Sequence, residues 1–129
     1  MQAPSLYQQL GGGLALRAIV DRFVGSMFDD VMIGYLFRRA DRRRVAEKEY
    51  ELASQILGGP DTYSGRPLRE AHAPHHIARG QFDRRVVLLR EALAAGHAPA
   101  AVQSAWLAHT ERLRAAILAG GDEACGPES

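Results

Sequence analysis

Apolar residues recur every three or four positions in four long segments of the sequence, which cover residues 14–28, 42–57, 81–95 and 99–118. This spacing places the apolar side chains on one face of a helix, so that each segment can bury a stripe against its neighbours. Val, Ile and Thr form no alternating run of the kind that marks a half-buried strand. The sequence therefore predicts an all-α fold, and 129 residues are enough to enclose one core.

Residues that begin and end helices divide these segments. Ser5 and Gln8 have the spacing of a capping box for a short first helix, which the glycines at 11–13 end. The segment G-G-G-L-A-L-R lacks the preceding strand of a dinucleotide-binding fold, so it is interpreted as a helix junction. Asp41 is a predicted N-cap of the third helix. That helix is predicted to end at the Gly-Gly-Pro segment of residues 58–60.

Shorter segments connect the long helices. Residues 32–37 predict an apolar corner, residues 61–67 a loop, and residues 67–73 a short helical stretch. The glycine pair at 120–121 predicts that the last helix ends near residue 118. We therefore expect one domain over residues 1–119 and a flexible tail over residues 120–129.

Composition excludes several classes of protein. A net charge of +1 gives no indication of nucleic acid binding, and no apolar run approaches the ~18 residues of a membrane span. The N-terminus has no basic region followed by an apolar stretch, so no signal peptide is predicted. The single cysteine, Cys125, allows neither a disulfide framework nor a cysteine-based metal site. A cytoplasmic location is the expectation.

One basic cluster stands out from this even charge balance. It has two interpretations, a solvated helix start or a patch that binds carboxylates or phosphates. Its members are Arg38, Arg39, Arg42, Arg43 and Arg44.

Three of the apolar stripes contain a polar residue. Glu49 lies on the line of the third helix, Arg85 at the edge of the fourth, and His109 in the middle of the fifth. A buried charge is costly unless it is paired, so Glu49 and Arg85 either pair with each other or both face a wet cavity. The alternative is that Glu49 extends outward and Arg85 covers the core edge with its stem. His109 is interpreted as a hydrogen-bonded core histidine.

The segment H-A-P-H-H contains the only histidine cluster, His72, His75 and His76. Imidazole suits zinc, but His75 and His76 are adjacent and cannot share a helix face. There is no nearby cysteine and no H-E-x-x-H segment. From the residues alone, a zinc site and an ordinary surface loop both remain open.

The sequence resembles the truncated haemoglobins of bacteria in four segments, which read S-L-Y-Q-Q-L-G-G, V-D-R-F, L-G-G-P-D-T-Y-S-G-R-P-L-R-E-A-H and Q-F-D-R-R. The resemblance covers about residues 5–118 and includes the order of the elements. It implies a truncated two-over-two helical sandwich around haem b (iron protoporphyrin IX), held without covalent attachment. The segments F-D-R-R and H-A-P-H-H also resemble a second branch of the family, so the subgroup is left open.

The resemblance implies that His72 is the metal ligand. His72 follows Tyr63, Gly65 and Leu68 at the spacing of the family segment Y-T-G-x-x-M-x-x-x-H. A neutral imidazole nitrogen is a good iron ligand, and the other ring nitrogen can donate to a backbone carbonyl that orients the ring.

Other residues are implied around the porphyrin. Phe37, with Tyr35 as the alternative, would pack on the haem from the corner. His75 or His76 would lie near a haem propionate, together with Tyr63 and Arg66 of the preceding loop.

The distal side departs from the family pattern. Many members have a tyrosine where this chain has Val24, and Val45 occupies the usual gate position. Glu49 and Arg85 both map to the distal pocket. They are expected to form an ion pair there, or Arg85 is expected to donate to the bound ligand while Glu49 orients it.

Three functions follow as hypotheses. The first is reversible binding of oxygen, nitric oxide or carbon monoxide at a five-coordinate iron, with an electron-donating reductase as a partner. The second is a haem enzyme for nitric oxide dioxygenation or peroxide chemistry, because an arginine and a carboxylate beside iron assist O–O cleavage. The third is a haem-free helical interaction module.

Overall fold

The computed structural model describes residues 3–65 and 77–125, and the side chains among them as far as residue 118. Every regular element in these ranges is helical, which confirms the all-α prediction. The predicted short helix at 67–73 lies outside the described residues. The elements are α1 (Leu6–Leu10), α2 (Gly13–Asp29), a 3-10 helix (Gly34–Phe37), α3 (Arg42–Ile56), α4 (Arg79–Ala95) and α5 (Ala100–Cys125).

The first two helices meet at the predicted glycine junction. The Ser5 hydroxyl accepts a hydrogen bond from the Gln8 backbone N–H at 3.1 Å, and the Gln8 side chain accepts one from the Ser5 N–H at 2.9 Å. Gly11 ends α1 with φ +119°, and Gly12 starts α2 with φ +81°. Only glycine adopts such angles without strain, so the chain turns here within two residues.

Helix α2 is the centre of the core, because it packs against both α3 and α4 while α4 packs against α5. The predicted stripe of α2 is buried, and each such side chain contributes roughly 1.5–3 kcal/mol through removal of apolar surface from water. The predicted stripe of α4, at positions 82, 86, 89 and 93, is buried as well. The α2 residues with at most 2% of their surface exposed are Leu16, Ile19, Val20, Phe23, Val24 and Met27.

The predicted end of the last helix is wrong. Helix α5 continues through Gly120 and Gly121 to Cys125 instead of ending near residue 118. A glycine in a helix costs about 1 kcal/mol relative to alanine, and the surrounding alanines and acidic residues tolerate a helix well enough to continue it. The flexibility of residues 120–129 stays a prediction. Although α5 has 26 residues, none of the described helices is both long and apolar enough to cross a membrane.

Asp30 fastens the corner between α2 and α3. Its carboxylate accepts backbone hydrogen bonds from Met32 at 2.9 Å and Ile33 at 3.2 Å, and it pairs with the Arg84 guanidinium of α4 at 2.8 Å. Only 4% of the Asp30 side chain is exposed. The hydrogen bond from Arg84, with help from the two backbone N–H groups, lowers the pKa of this carboxyl. The predicted apolar corner therefore exists, and a buried carboxylate joins it to α4.

Asp30→Asn keeps the shape of this side chain and removes its charge. We expect the free energy of unfolding at pH 7 to fall by about 2 kcal/mol, the scale of hydrogen bonds to charged groups. Because the folded pKa lies below its ordinary value of 3.8, the wild type keeps this stabilisation above that pH and loses it as the pH falls further. The difference between the two proteins should therefore shrink in urea titrations below about pH 4.

The matched control is Asp29→Asn, which changes the neighbouring exposed carboxylate. Exposed substitutions of this kind usually change stability by less than about 0.5 kcal/mol. An equal loss in both variants would contradict the role of Asp30.

Candidate functional site

A cavity of about 530 Å³ lies among the corner, α3, α4 and the ends of α2 and α5. Its volume falls within the range of roughly 300–1,000 Å³ that small-molecule sites occupy. Apolar side chains form the larger part of its wall, as such sites require. They are Met27, Ile33, Leu36, Phe37, Val45, Leu52, Ile77, Phe82 and Ile117.

Five of the predicted site residues line this cavity together, namely Phe37, Val45, Glu49, Tyr63 and Arg85. They come from the corner, α3, the loop after α3, and α4, so the fold brings together positions far apart in sequence. The other three predicted residues, Leu68, His72 and His76, lie outside the described residues.

Phe37 is the corner aromatic that faces the cavity. Its ring stacks on Phe28 with the ring centroids 4.8 Å apart, which fixes its orientation. The alternative, Tyr35, is 53% exposed and is not part of the described cavity wall. The Tyr35 hydroxyl accepts a hydrogen bond from the Gln81 side-chain amide at the start of α4. Of the two corner aromatics, Phe37 is thus the one placed to contact a bound group.

Glu49 and Arg85 form an ion pair across the cavity wall. The two guanidinium Nη atoms each lie 3.3 Å from a different carboxylate oxygen. Exposure is 16% for the Arg85 side chain and 18% for Glu49, so neither extends into solvent. The interpretation in which Glu49 points outward is therefore wrong.

The remaining surroundings of the Arg85 guanidinium are apolar. Its Nη1 donates to Met27 Sδ at 3.3 Å, and its Cζ lies 4.9 Å from the centre of the Phe23 ring. Its Nε is buried and has no hydrogen-bond partner within residues 3–65 and 77–125. A buried donor without a partner is unfavourable, so the contacts of the two Nη atoms have to stabilise the guanidinium in this place.

The loop after α3 is anchored to that helix by side-chain hydrogen bonds. Glu51 accepts from the Ser64 backbone N–H at 3.0 Å and from its hydroxyl at 2.7 Å, and Gln55 accepts from the Tyr63 N–H at 2.8 Å. The bonds from Ser64 lower the pKa of the Glu51 carboxyl. These contacts hold Tyr63 at the cavity, a role that no periodicity in the sequence indicates.

Three of the basic side chains at the cavity wall were not predicted there, namely Arg39, Arg44 and Lys48. Arg39 and Arg44 line it although both are exposed, and Lys48 lines it one turn after Arg44 on α3. Lys48 Nζ donates to Ser64 Oγ at 2.7 Å. The only sequence signal for these residues is the basic cluster, whose two members Arg39 and Arg44 reach the cavity.

Two further predicted positions lie away from the cavity wall. Val24 is 1% exposed and belongs to the core. His109 is partly buried, and its Nδ1 has no hydrogen-bond partner in the part of the chain that the structure describes, so the prediction of a hydrogen-bonded histidine is wrong for this nitrogen. Burial and the nearby Arg112 charge lower the His109 pKa.

No group of three or more His, Cys, Asp or Glu side chains that could hold a metal ion occurs among residues 3–65 and 77–118. The zinc interpretation rests on His72, His75 and His76, which lie outside that part of the chain.

Comparisons with known proteins give one consistent result. A family model described as bacterial-like globin matches residues 5–119. A group 1 truncated hemoglobin of Mycolicibacterium paratuberculosis is 28% identical over 90% of this chain and 85% of its own length. The chain spans about two thirds of the curated Tetrahymena relatives that it matches.

Solved structures agree with the sequence matches. The truncated hemoglobin of Tetrahymena pyriformis in its Fe(III) form is similar with a TM-score of 0.80 and 26% identity, over 89% of this chain and 98% of that one. The hemoglobin of Chloroflexus aurantiacus is similar with a TM-score of 0.79 and 30% identity, over 90% and 98% of the two chains.

The Glu49–Arg85 pair predicts a measurable coupling. A double-mutant cycle with Glu49→Gln and Arg85→Met should give a coupling free energy of about 1–2 kcal/mol in urea unfolding, because both side chains are largely shielded from water. The control cycle uses Arg17 and Glu47, which are 3.5 Å apart but 36% and 54% exposed. We expect less than about 0.5 kcal/mol there. Equal couplings in the two cycles would contradict the importance of burial.

Proposed function

Because the chain belongs to the bacterial-like globin family, we propose that it is a haem protein that reversibly binds oxygen, nitric oxide or carbon monoxide. The observation that carries the proposal is the cavity, which combines apolar walls, an aromatic corner and a rim of basic side chains. The comparisons favour neither the haem enzyme nor the haem-free interaction module.

The residues present fit a haem group. A porphyrin has two apolar faces and two propionate groups, so it needs an apolar slot with cations at one edge. The stacked Phe37 and the aliphatic side chains of α3 supply the slot, and Arg39, Arg44 and Lys48 supply the cations. When bound, the group supplies an iron with a coordination position for a diatomic ligand.

We assign His72 as the proximal ligand, with Leu68 and His76 beside the haem, as the resemblance implies. The described chain supports this placement on both sides of the segment. Gly65 and Ile77, the described residues on either side of that segment, both line the cavity. That segment includes three of the five histidines of the chain.

The type of haem is part of the proposal. The sequence has one cysteine, Cys125, and no C-x-x-C-H segment, so it lacks the motif that attaches haem through two thioethers. We therefore propose haem b, held without covalent bonds, in a protein of the cytoplasm. Extraction with acidified butanone should separate the pigment from the polypeptide.

The purified protein, offered haemin, should show a Soret band near ~410 nm. His72→Ala should lose or shift that band, because it removes the imidazole ligand. His97→Ala, which changes an exposed histidine after α4, is the control and should keep the band unchanged. Absorption spectra of the three proteins at equal concentration provide the measurement. A colourless wild type, or a His72→Ala spectrum identical to the wild type, would overturn the proposal.

Arg85 is the proposed donor to the bound diatomic ligand. Val24 carries no hydrogen-bonding group, so the tyrosine donor of many relatives is absent here. Arg85 lines the cavity, and its two Nη atoms carry four N–H groups, of which the Glu49 carboxylate engages at most two. Glu49 would then keep the guanidinium in place, because a fixed fork of donors bonds a carboxylate on one side and a ligand on another.

Arg85→Leu should raise the oxygen dissociation rate about tenfold, the equivalent of one hydrogen bond of about 1.4 kcal/mol. Glu49→Gln should raise it less, because the arginine remains but is held less firmly. Stopped-flow displacement of oxygen by carbon monoxide measures both rates. The control is Arg90→Leu, an exposed arginine of the same helix. An unchanged rate in Arg85→Leu would remove Arg85 from the ligand site.

A further inference from the structure

A longer segment that includes the corner concentrates positive charge. It covers residues 31–44, ends in the first turn of α3, and is called the arginine corner below. It contains five arginines and one aspartate, a net charge of +4, whereas the whole chain has a net charge of +1. The other 115 residues contain 11 basic and 14 acidic side chains, a net charge of −3. The small overall charge thus hides a strong asymmetry, with the positive side at the corner.

Packing within the fold accounts for only one of these arginines, since the Arg42 guanidinium lies 5.8 Å from the centre of the Phe28 ring. All five are exposed, and none forms an ion pair with a residue within 3–65 or 77–118. Arg42, Arg43 and Arg44 occupy the first turn of α3, where there is no acidic residue. The positive end of the helix dipole disfavours cations at this position, and the arginines repel one another. Residues that oppose stability in an exposed place indicate a role in binding.

The same segment exposes apolar surface. Val31 is 97% exposed, Met32 51% and Tyr35 53%. These are three of the five large hydrophobic residues that are exposed among the described side chains. Arginine, methionine and aromatic residues are enriched at protein interfaces, and lysine and glutamate are depleted there. The corner has this composition, since it contains no lysine and no glutamate.

The corner also borders the cavity. Arg39 and Arg44 belong to the arginine set and to the cavity wall, and Ile33, Leu36 and Phe37 line the cavity from the same segment. A partner that covers the exposed side of the corner therefore lies next to the wall of the cavity. This position suits a partner that delivers an electron to a group in the cavity.

We propose that the arginine corner, residues 31–44, docks an acidic electron-donor protein. This inference rests on the proposed function, since the electron goes to the iron of the bound haem. The reduced donor would give up one electron and become oxidised, and the iron of the bound haem would accept that electron and change from ferric to ferrous. Arg38 and Arg43, which do not line the cavity, steer the acidic partner. The exposed Val31, Met32 and Tyr35 provide the apolar contact.

The test measures reduction of the ferric protein by a reduced plant-type [2Fe–2S] ferredoxin, an acidic one-electron donor. The test variant is Arg38→Glu/Arg43→Glu, whose two side chains are exposed and do not line the cavity. Its bimolecular rate constant at low ionic strength should fall at least about tenfold, and the difference should narrow as salt is added. The control is Arg22→Glu/Arg90→Glu, two exposed arginines of α2 and α4 with the same change in net charge.

Two other readouts separate docking from folding and from haem binding. Arg43→Glu places an acid in the first turn of α3, so Tm should stay equal or rise, and loss of structure cannot explain a slower reaction. Isothermal titration with the oxidised ferredoxin measures docking without electron transfer, and Kd should rise about tenfold in the test variant. A protein that takes up no haemin refutes the proposed function, while this titration still reports on the surface.

Several results would overturn the inference. One is a rate constant and a Kd equal to those of the wild type, and another is the same loss in the control variant. Binding of the wild type to vesicles that contain phosphatidylserine, with ferredoxin reduction unaffected by the test variant, would assign the corner to a lipid surface. A salt-sensitive dimer that the test variant abolishes, again without effect on reduction, would assign it to a second copy of this chain.

Discussion

The cavity depends on the Arg85 cation, which needs the Glu49 carboxylate as its partner. The Arg85 guanidinium contacts Phe23 and Met27, and a cation in such largely apolar surroundings is costly without a counter-charge. Glu49 supplies that charge from the facing helix. Helices α3 and α4 both pack on α2 and have no extensive contact with each other, so the ion pair bridges them where the cavity separates them. An apolar pair at these positions would favour direct packing of the two helices and a smaller space.

A second carboxylate that pairs with α4 holds the corner, which forms another wall of the cavity. Asp30 accepts two backbone hydrogen bonds from the corner and pairs with Arg84, the residue next to Arg85 on α4. The two neighbouring arginines therefore hold α4 to two different walls, the corner and α3. This explains how Phe37 can face the interior from a short 3-10 helix that, among its own residues, buries none fully. The local structure is weak, and the tertiary contacts orient it.

Most of the fold could be predicted from the sequence, because burial imposes a period of 3.6 residues on any helix that packs on one face. The stripes of α2 and α4 show that period and are buried. The end of α5 was missed, because a glycine pair weakens a helix without forbidding it. The site was predictable only in part. Glu49 and Arg85 were identified as charged residues within apolar stripes. The sequence does not show how two helices are rotated relative to each other, so pairing and outward extension were equally open. Asp30 gave no signal, since an aspartate at a helix end looks the same whether it is exposed or buried.

The arginines of this chain include two kinds with different roles. One kind stabilises the fold through ion pairs, and the other is exposed and suited to binding. Arg84 and Arg85 each have a carboxylate partner and shape the cavity. The arginines of the corner have none within the described residues, and Arg42, Arg43 and Arg44 lie at the helix end that repels them. Their mutual repulsion is unfavourable in the free protein and becomes weaker when an acidic surface covers them. This reduction in repulsion contributes favourably to the free energy of binding. Dissolved salt screens exposed charges, so binding at the corner should weaken as salt is added. The Glu49–Arg85 pair is largely shielded from water, so its interaction should depend on salt much less.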